Sequence, residues 1–245
     1  MRNLLAKTLI AVAFITLLAS CGNDSTSPTS PQGTETLSDY FPATAGTWWK
    51  YSNNSLDSLG AVEHSDEDDS TYVSRIYLNN GKNAIEMIDI ELYNGNKNRD
   101  TTLYAIENNS LYLGEQFNDY WTKVFDLSYN KITITDMDTS FTDPYSGLAT
   151  SYKSQFTIQR ESSSPNFVYK GQSYLTMTFK LIQTSLTKES GKVTDSYNTV
   201  VYVTFAKGLG WAKTNSMSTS YYTVSGNSYY SKSGYEKKII NSSIK

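Results

Sequence analysis

The segment Lys131-Ile132-Thr133-Ile134-Thr135 alternates polar and apolar side chains with a period of two. The same period recurs along most of the chain after Ser38. Tyr72, Ser74, Ile76 and Leu78 alternate with Val73, Arg75, Tyr77 and Asn79, and Ile85 to Leu92 repeats the pattern. Between Tyr174 and Leu181, the side chains of Leu175, Met177, Phe179 and Leu181 fall on one face. Val200 to Phe205 continues the series. Successive side chains of an extended strand point to opposite faces, so this period predicts half-buried antiparallel strands. Tyrosine, with 20 copies among 245 residues, suits a pleated surface, as do the recurring Thr, Val and Ile. Asn79-Asn80-Gly81-Lys82 predicts a tight hairpin, and Asn94-Gly95-Asn96, Ser190-Gly191-Lys192 and Ser225-Gly226-Asn227 occupy equivalent positions. The expectation is an all-β fold with little helix, built as an up-and-down meander. A helical turn is considered only near Gln116 to Phe125. Residues 136–164, rich in Ser, Thr, Asp, Pro and Gly, are expected to form a long loop between two halves of one sheet system.

The N-terminus has a different character. Arg2 and Lys7 precede an apolar run from Leu9 to Leu18, and the small residues Ala19 and Ser20 lead into Cys21. This is the three-part layout of a secretory signal. The run is too short to span a bilayer, which takes roughly 20 apolar residues. Leu18-Ala19-Ser20-Cys21 resembles the lipobox of bacterial lipoproteins, which implies acylation of the Cys21 sulfur and cleavage before it. Gly22, rather than Asp, follows the cysteine, and by the same resemblance the outer membrane is the expected destination. Residues 1–20 are read as the signal peptide and 21–38 as a disordered Ser/Thr/Pro tether that cannot offset its ordering entropy by burying apolar surface. Residues 39–245 are read as one antiparallel β domain.

Composition excludes several functions. The net charge is −3, and removal of Arg2 and Lys7 makes the mature chain more acidic, which argues against nucleic acid as a partner. Cys21 is the one cysteine, so there is no internal disulfide. His64 is the one histidine. A zinc centre draws on several His or Cys ligands, and a Ser-His-Asp triad would have to use His64. That residue sits beside Glu63 and the run Asp66, Glu67, Asp68, Asp69, which reads as a solvated loop. A calcium loop over Asp136, Asp138 and Asp143 fails, because Phe141 and Gly147 stand where glycine and glutamate are required. No catalytic residues, metal ligands or cofactors are assigned.

Two segments carry a family resemblance. The first is Asp39-Tyr40-Phe41-Pro42 followed by Gly46-Thr47-Trp48-Trp49-Lys50-Tyr51. The second is Phe205-Ala206-Lys207-Gly208-Leu209-Gly210-Trp211-Ala212-Lys213. Together they resemble a broad group of bacterial lipoproteins of unknown function, although Trp211 stands where an aliphatic residue is commoner. The resemblance implies a strongly curved antiparallel sheet, similar to the open half-barrels of envelope lipoprotein carriers; a sandwich is the alternative form. Read residue by residue, Pro42 holds Phe41 extended. Trp48 and Trp49 should point to opposite faces. Gly208 and Gly210 should bend a strand. A phosphate-binding glycine loop lacks its helix and its Lys-Ser/Thr ending.

These observations lead to a membrane-anchored, non-enzymatic envelope lipoprotein, monomeric, with the bilayer as its partner through acylated Cys21. By fold analogy its concave face would suit an apolar or amphipathic ligand. One alternative is a glycan-binding surface protein using Tyr221, Tyr222, Tyr229, Tyr230, Tyr235 or Trp121. The other is an envelope hydrolase with a carboxylate pair.

Overall fold

The computed structural model describes residues 36–93, 95–114, 120–142, 147–161 and 165–244. Cys21, the signal peptide and all but the last three residues of the expected tether lie outside them. Within those three, Leu37 is already buried. It opens a one-turn helix, α1 (Leu37–Tyr40). Strands follow in order: β1 (Trp48–Leu56), β2 (Val62–Asn79), β3 (Lys82–Tyr93), β4 (Asn96–Glu107), β5 (Ser110–Gly114), β6 (Trp121–Asp126), β7 (Lys131–Thr142), β8 (Ala149–Arg160), β9 (Phe167–Tyr169), β10 (Gln172–Tyr174), β11 (Thr176–Glu189), β12 (Lys192–Ala206), β13 (Gly210–Val224) and β14 (Asn227–Ser242).

Twelve strands form one antiparallel sheet in the order β6-β5-β4-β3-β2-β1-β14-β13-β12-β11-β8-β7, and β9 and β10 make a separate hairpin. Its two edges, β6 and β7, are consecutive in the chain, so the sheet curls until they approach each other. The aromatic core shows this directly. Phe125 on β6 stacks on Phe179 of β11, with ring centroids 4.0 Å apart and an interplanar angle of 11°. Those strands lie near opposite ends of the sheet order, and their inner faces meet only in a nearly closed, barrel-like curve. Of the two expected forms, the strongly curved single sheet is the one observed.

The hairpin signals fold as their sequences require. Asn80-Gly81, Ser190-Gly191 and Ser225-Gly226 each have positive φ at both positions. That conformation matches the twist of the flanking strands. Asn108-Asn109 and Lys170-Gly171 do the same without having been expected to.

The segment 136–164 differs from expectation. It contributes most of β7 and β8, paired from Lys131↔Gln159 to Thr142↔Ala149. Its Ser, Thr and Tyr side chains suit a strand with water near both faces, where no apolar stripe is needed. The acidic run is likewise strand rather than loop. Residues 62–72 of β2 pair along β1, with register shifts between Tyr51 and Asn53 and between Ser55 and Leu56. The expected turn near Gln116 to Phe125 is strand from Trp121 onward, and residues 115–119 lie outside the described set. Gly208 does not sit inside a strand as expected, and Gly210 is the first residue of β13 rather than an interior one. Lys207–Leu209 is the turn between β12 and β13, and the bulge falls earlier, at Thr204/Phe205. Leu175 leaves the expected face: it is exposed in the break between β10 and β11.

The two motif segments meet. The Trp49 indole N–H donates to the Leu209 carbonyl at 2.7 Å, and the Gly208 amide donates to the Asp39 carbonyl at 2.7 Å. Trp48 is exposed and Trp49 buried, on opposite faces as expected. Phe41 packs on Tyr104 and Phe205. Thus α1 and Phe41 stopper one end of the curved sheet.

Candidate functional site

The inner face changes character halfway along the strands. In the half near α1 it carries Trp49, Met87, Phe125, Ile158, Phe179, Leu181 and Phe205, all buried in one cluster. Toward the other end, alternation continues but the residues change. The inward positions of β13 run Thr214, Ser216, Ser218, Ser220 and Tyr222, facing Lys237, Tyr235, Ser233, Ser231 and Tyr229 of β14. Thr199 and Tyr197 of β12 and Gln183 and Ser185 of β11 extend the same surface. The hydroxyls bond across strands: Thr199 Oγ1 to Ser218 Oγ at 2.7 Å and Ser220 Oγ to Ser231 Oγ at 2.8 Å. The result is a lumen wall of hydroxyl groups in which tyrosine rings are the apolar surface.

The facing wall, from β2 to β4, is acidic. Asp69 is buried, with one carboxylate oxygen 3.3 Å from the Lys237 ammonium. Asp89 accepts from the Thr71 hydroxyl and lies directly across from Asp100. Burial pushes the Asp89 carboxyl up, and the Asp69 and Asp100 charges add to this. The Lys237 charge and the Thr71 hydrogen bond oppose it without cancelling it. The Lys237 ammonium also lies 4.8 Å from the Tyr51 ring centroid and 5.5 Å from that of Trp211, a cation–π arrangement. Burial, and then the Asp89 charge, raise the Tyr51 phenol well above its ordinary value. Tyr235 is raised by burial and by the nearby charges of Glu91 and Asp69.

At the junction of the two halves, three buried side chains carry polar atoms with no hydrogen-bond partner. They are the Tyr51 hydroxyl, Asn53 Oδ1 and Asp69 Oδ1. The Asn53 amide nitrogen, by contrast, donates to the Glu67 carbonyl at 3.1 Å. Buried polar groups are normally paired, with protein or ordered water, so these three atoms on neighbouring positions of β1 and β2 call for a partner from outside the chain, as do Trp121 Nε1, Thr135 Oγ1, the Tyr169 hydroxyl and Asn215 Oδ1 elsewhere.

The structure separates the residues singled out from sequence. Tyr222 and Tyr229 pair across β13 and β14 at the mouth of the lumen, their rings stacked 5.1 Å apart at 16°. They are 41% and 46% exposed. Tyr221 and Tyr230 lie on the opposite face, and Tyr235 lies inside the lumen beside Lys237 in the strand. Trp121 packs against Gly114, where an added Cβ would come within 2.8 Å of its ring. His64 sits on β2, 54% exposed, with Nε2 3.1 Å from Asp66 Oδ1. Ser55 donates to the other oxygen of Asp66 at 2.9 Å. The Ser55 hydroxyl thus points at the carboxylate, whereas a triad places the histidine between serine and acid. Asp138 is paired with Lys153, and Asp143 is outside the described residues. Among the described residues no three acids or histidines converge to hold a metal ion. Asp89, Asn53 and Lys237 are not candidates from sequence, and Asp69 enters there only within an acidic run weighed for calcium and read as a solvated loop. Register alone brings them together.

No family model matches the chain, and no curated protein matches it. Two solved structures are similar. One is a candidate lipoprotein from Parabacteroides distasonis ATCC 8503, 12% identical over 83% of this chain and 97% of that one, with a TM-score of 0.45. The other is a candidate exported protein with a YmcC-like fold from Bacteroides fragilis NCTC 9343, 9% identical over 82% of this chain and 97% of that one, with a TM-score of 0.41. At this level the likeness carries no argument about the site.

Proposed function

We propose that the chain is a lipoprotein of the bacterial envelope, held at the outer membrane by acylated Cys21. In this reading it acts as a monomeric, non-enzymatic binding module whose lumen takes a hydroxyl-rich ligand, a neutral glycan. Anchoring rests on the Leu18-Ala19-Ser20-Cys21 pattern behind a charged and apolar leader. The observation that carries the binding reading is the split of the inner face into a packed aromatic half and a hydroxyl-lined half that opens to solvent at its outer end, where Tyr229, Ser231 and Ser233 are exposed.

That split redirects the ligand expectation. An acyl chain needs apolar volume, and the apolar half is occupied by stacked rings. A gap of about 10 Å³ lies between Phe41, Trp49, Tyr51, Met87, Gly210 and Trp211, room for about one water. A saccharide instead offers hydroxyls to a wall of Ser, Thr and Tyr oxygens. Its apolar ring faces can lie on the exposed Tyr222 and Tyr229 at the mouth. A hydrolase would need two carboxylates disposed across a cleft. Asp69 and Asp89 instead lie on the adjacent strands β2 and β3, Asp69 paired with Lys237 and Asp89 accepting from Thr71.

The test is binding of the full-length acylated protein, in detergent micelles, to a broad array of neutral glycans and in parallel to phospholipid vesicles. Saturable glycan binding lost in Tyr222→Ala and Tyr229→Ala supports the reading. Binding to phospholipid alone contradicts it.

A further inference from the structure

The three unpartnered atoms at the floor of the lumen suggest how such a ligand would be anchored. Asn53 Oδ1 and Asp69 Oδ1 can only accept hydrogen bonds from a neutral partner, whereas the Tyr51 hydroxyl can donate or accept. Each belongs to a residue at most 2% exposed. Leaving such atoms unpaired is unfavourable, so a suitable donor recovers free energy on binding. The donor must be neutral, because the Lys237 ammonium, 3.3 Å from the other oxygen of Asp69, repels a second cation. The group that meets these demands presents two or three adjacent hydroxyls.

We propose that Tyr51, Asn53 and Asp69 form the anchoring subsite for the terminal sugar of a neutral saccharide whose remaining units run outward along the hydroxyl wall to Tyr222 and Tyr229. The inference rests on the glycan reading above and adds the place and polarity of binding. Spacing supports it. Tyr229 and Lys237 share the inner face of β14 in unbroken register with β13. Eight residues at about 3.4 Å each make a track of about 27 Å, long enough for several sugar units. Ser216, Ser218 and Ser220 lie along it at alternate positions of β13. Lys237 touches both Asp69 and the Tyr51 ring, and its flexible stem can turn aside to open the subsite without moving the backbone.

Tyr51→Phe tests the subsite, because it removes only the unpartnered hydroxyl and keeps the ring under Lys237. The full-length protein in micelles is titrated by calorimetry with neutral linear oligosaccharides of glucose, mannose and xylose, and its thermal midpoint is followed by circular dichroism. The expected result is an affinity about tenfold weaker for Tyr51→Phe, with an unchanged or higher midpoint. Unchanged affinity overturns the subsite, since a trapped water or nothing at all then satisfies these atoms. A lowered midpoint with unchanged affinity overturns it too, by making the hydroxyl structural. If Tyr222→Ala and Tyr229→Ala weaken binding while Tyr51→Phe does not, the glycan reading stands and the subsite alone fails. If no neutral saccharide binds the unmodified protein, both fail.

Discussion

The indole N–H of Trp49 donates to the carbonyl of Leu209 at 2.7 Å, joining the first strand to the β12–β13 turn across 160 residues of chain. Gly210 is what lets the ring come so close. Its φ is +92°, and a Cβ there would stand 3.2 Å from Trp49 Cζ2. Trp49→Phe removes the donor and leaves a gap. It should cost about 2 kcal/mol in urea unfolding followed by circular dichroism. Gly210→Ala should cost a similar amount through backbone strain and the ring contact. Losses below about 0.5 kcal/mol in both would mean that this contact does not hold the stopper in place.

The Phe125–Phe179 stack is the contact that draws the sheet's edge strand across its interior. Phe125→Ala should destabilise by about 3–5 kcal/mol, as deletion of a buried ring does, and should weaken the near-ultraviolet dichroism of the aromatic core. Phe125→Leu, which keeps most of the volume, should recover much of the loss in the same unfolding experiment.

Asp89 makes stability depend on pH with a definite sign. Its folded-state carboxyl titrates above the ordinary 3.8, chiefly because it is buried. The folded protein therefore holds this proton more tightly than the unfolded chain does. This group's contribution falls as pH rises from the unfolded value up through the raised folded one. Asp89→Asn removes the penalty. Relative to the unmodified protein, the variant should gain stability at neutral pH and show no gain well below the ordinary carboxylate range. Urea unfolding across that range provides the measurement, and a variant less stable at neutral pH would refute the assignment.

Lys237 should behave in the opposite way. Lys237→Met keeps a long side chain in the lumen but leaves Asp69 and Asp89 without their cation. Removing one partner of a buried pair typically costs about 3–5 kcal/mol. The double change with Asp69→Asn should recover part of that loss. Additivity of the two single effects, read from the same unfolding curves, would contradict the pairing.

Anchoring is tested separately. Intact mass of the protein extracted from membranes should show acyl chains on Cys21 as the new N-terminus, and Cys21→Ser should release the protein from the membrane fraction. An unmodified thiol on membrane-extracted protein would contradict the proposed anchor.

Sequence showed the fold best where one strand face was apolar. In β11, Met177, Phe179 and Leu181 alternate against polar residues and are buried together. In β7 and β8 both faces carry Thr, Ser, Asp and Tyr toward the mouth, so the strand period is present but has no hydropathy contrast to reveal it. Hairpins with Asn-Gly or Ser-Gly were legible from the left-handed backbone those residues accept. Asn108-Asn109 carries a weaker form of the same signal. The site was hidden for a different reason. Asp69 closes an acidic run that looks wholly solvated, and its inward direction depends on its pairing with Tyr51 beside the β1–β2 register shift. Lys237 reads as one of two adjacent lysines, and only strand parity assigns it to the lumen while Lys238 faces out over Phe167.

The central proposal is that ligand binds in the hydroxyl-lined half of the inner face. Amide chemical-shift mapping with a saturating neutral oligosaccharide is the most direct measurement. The largest shifts are expected at Asn53, Ser218, Ser220, Tyr229 and Ser231, with Lys180, Lys213 and Lys238 on the outer face unmoved. Shifts confined to the outer face, or none at saturating saccharide, would contradict it.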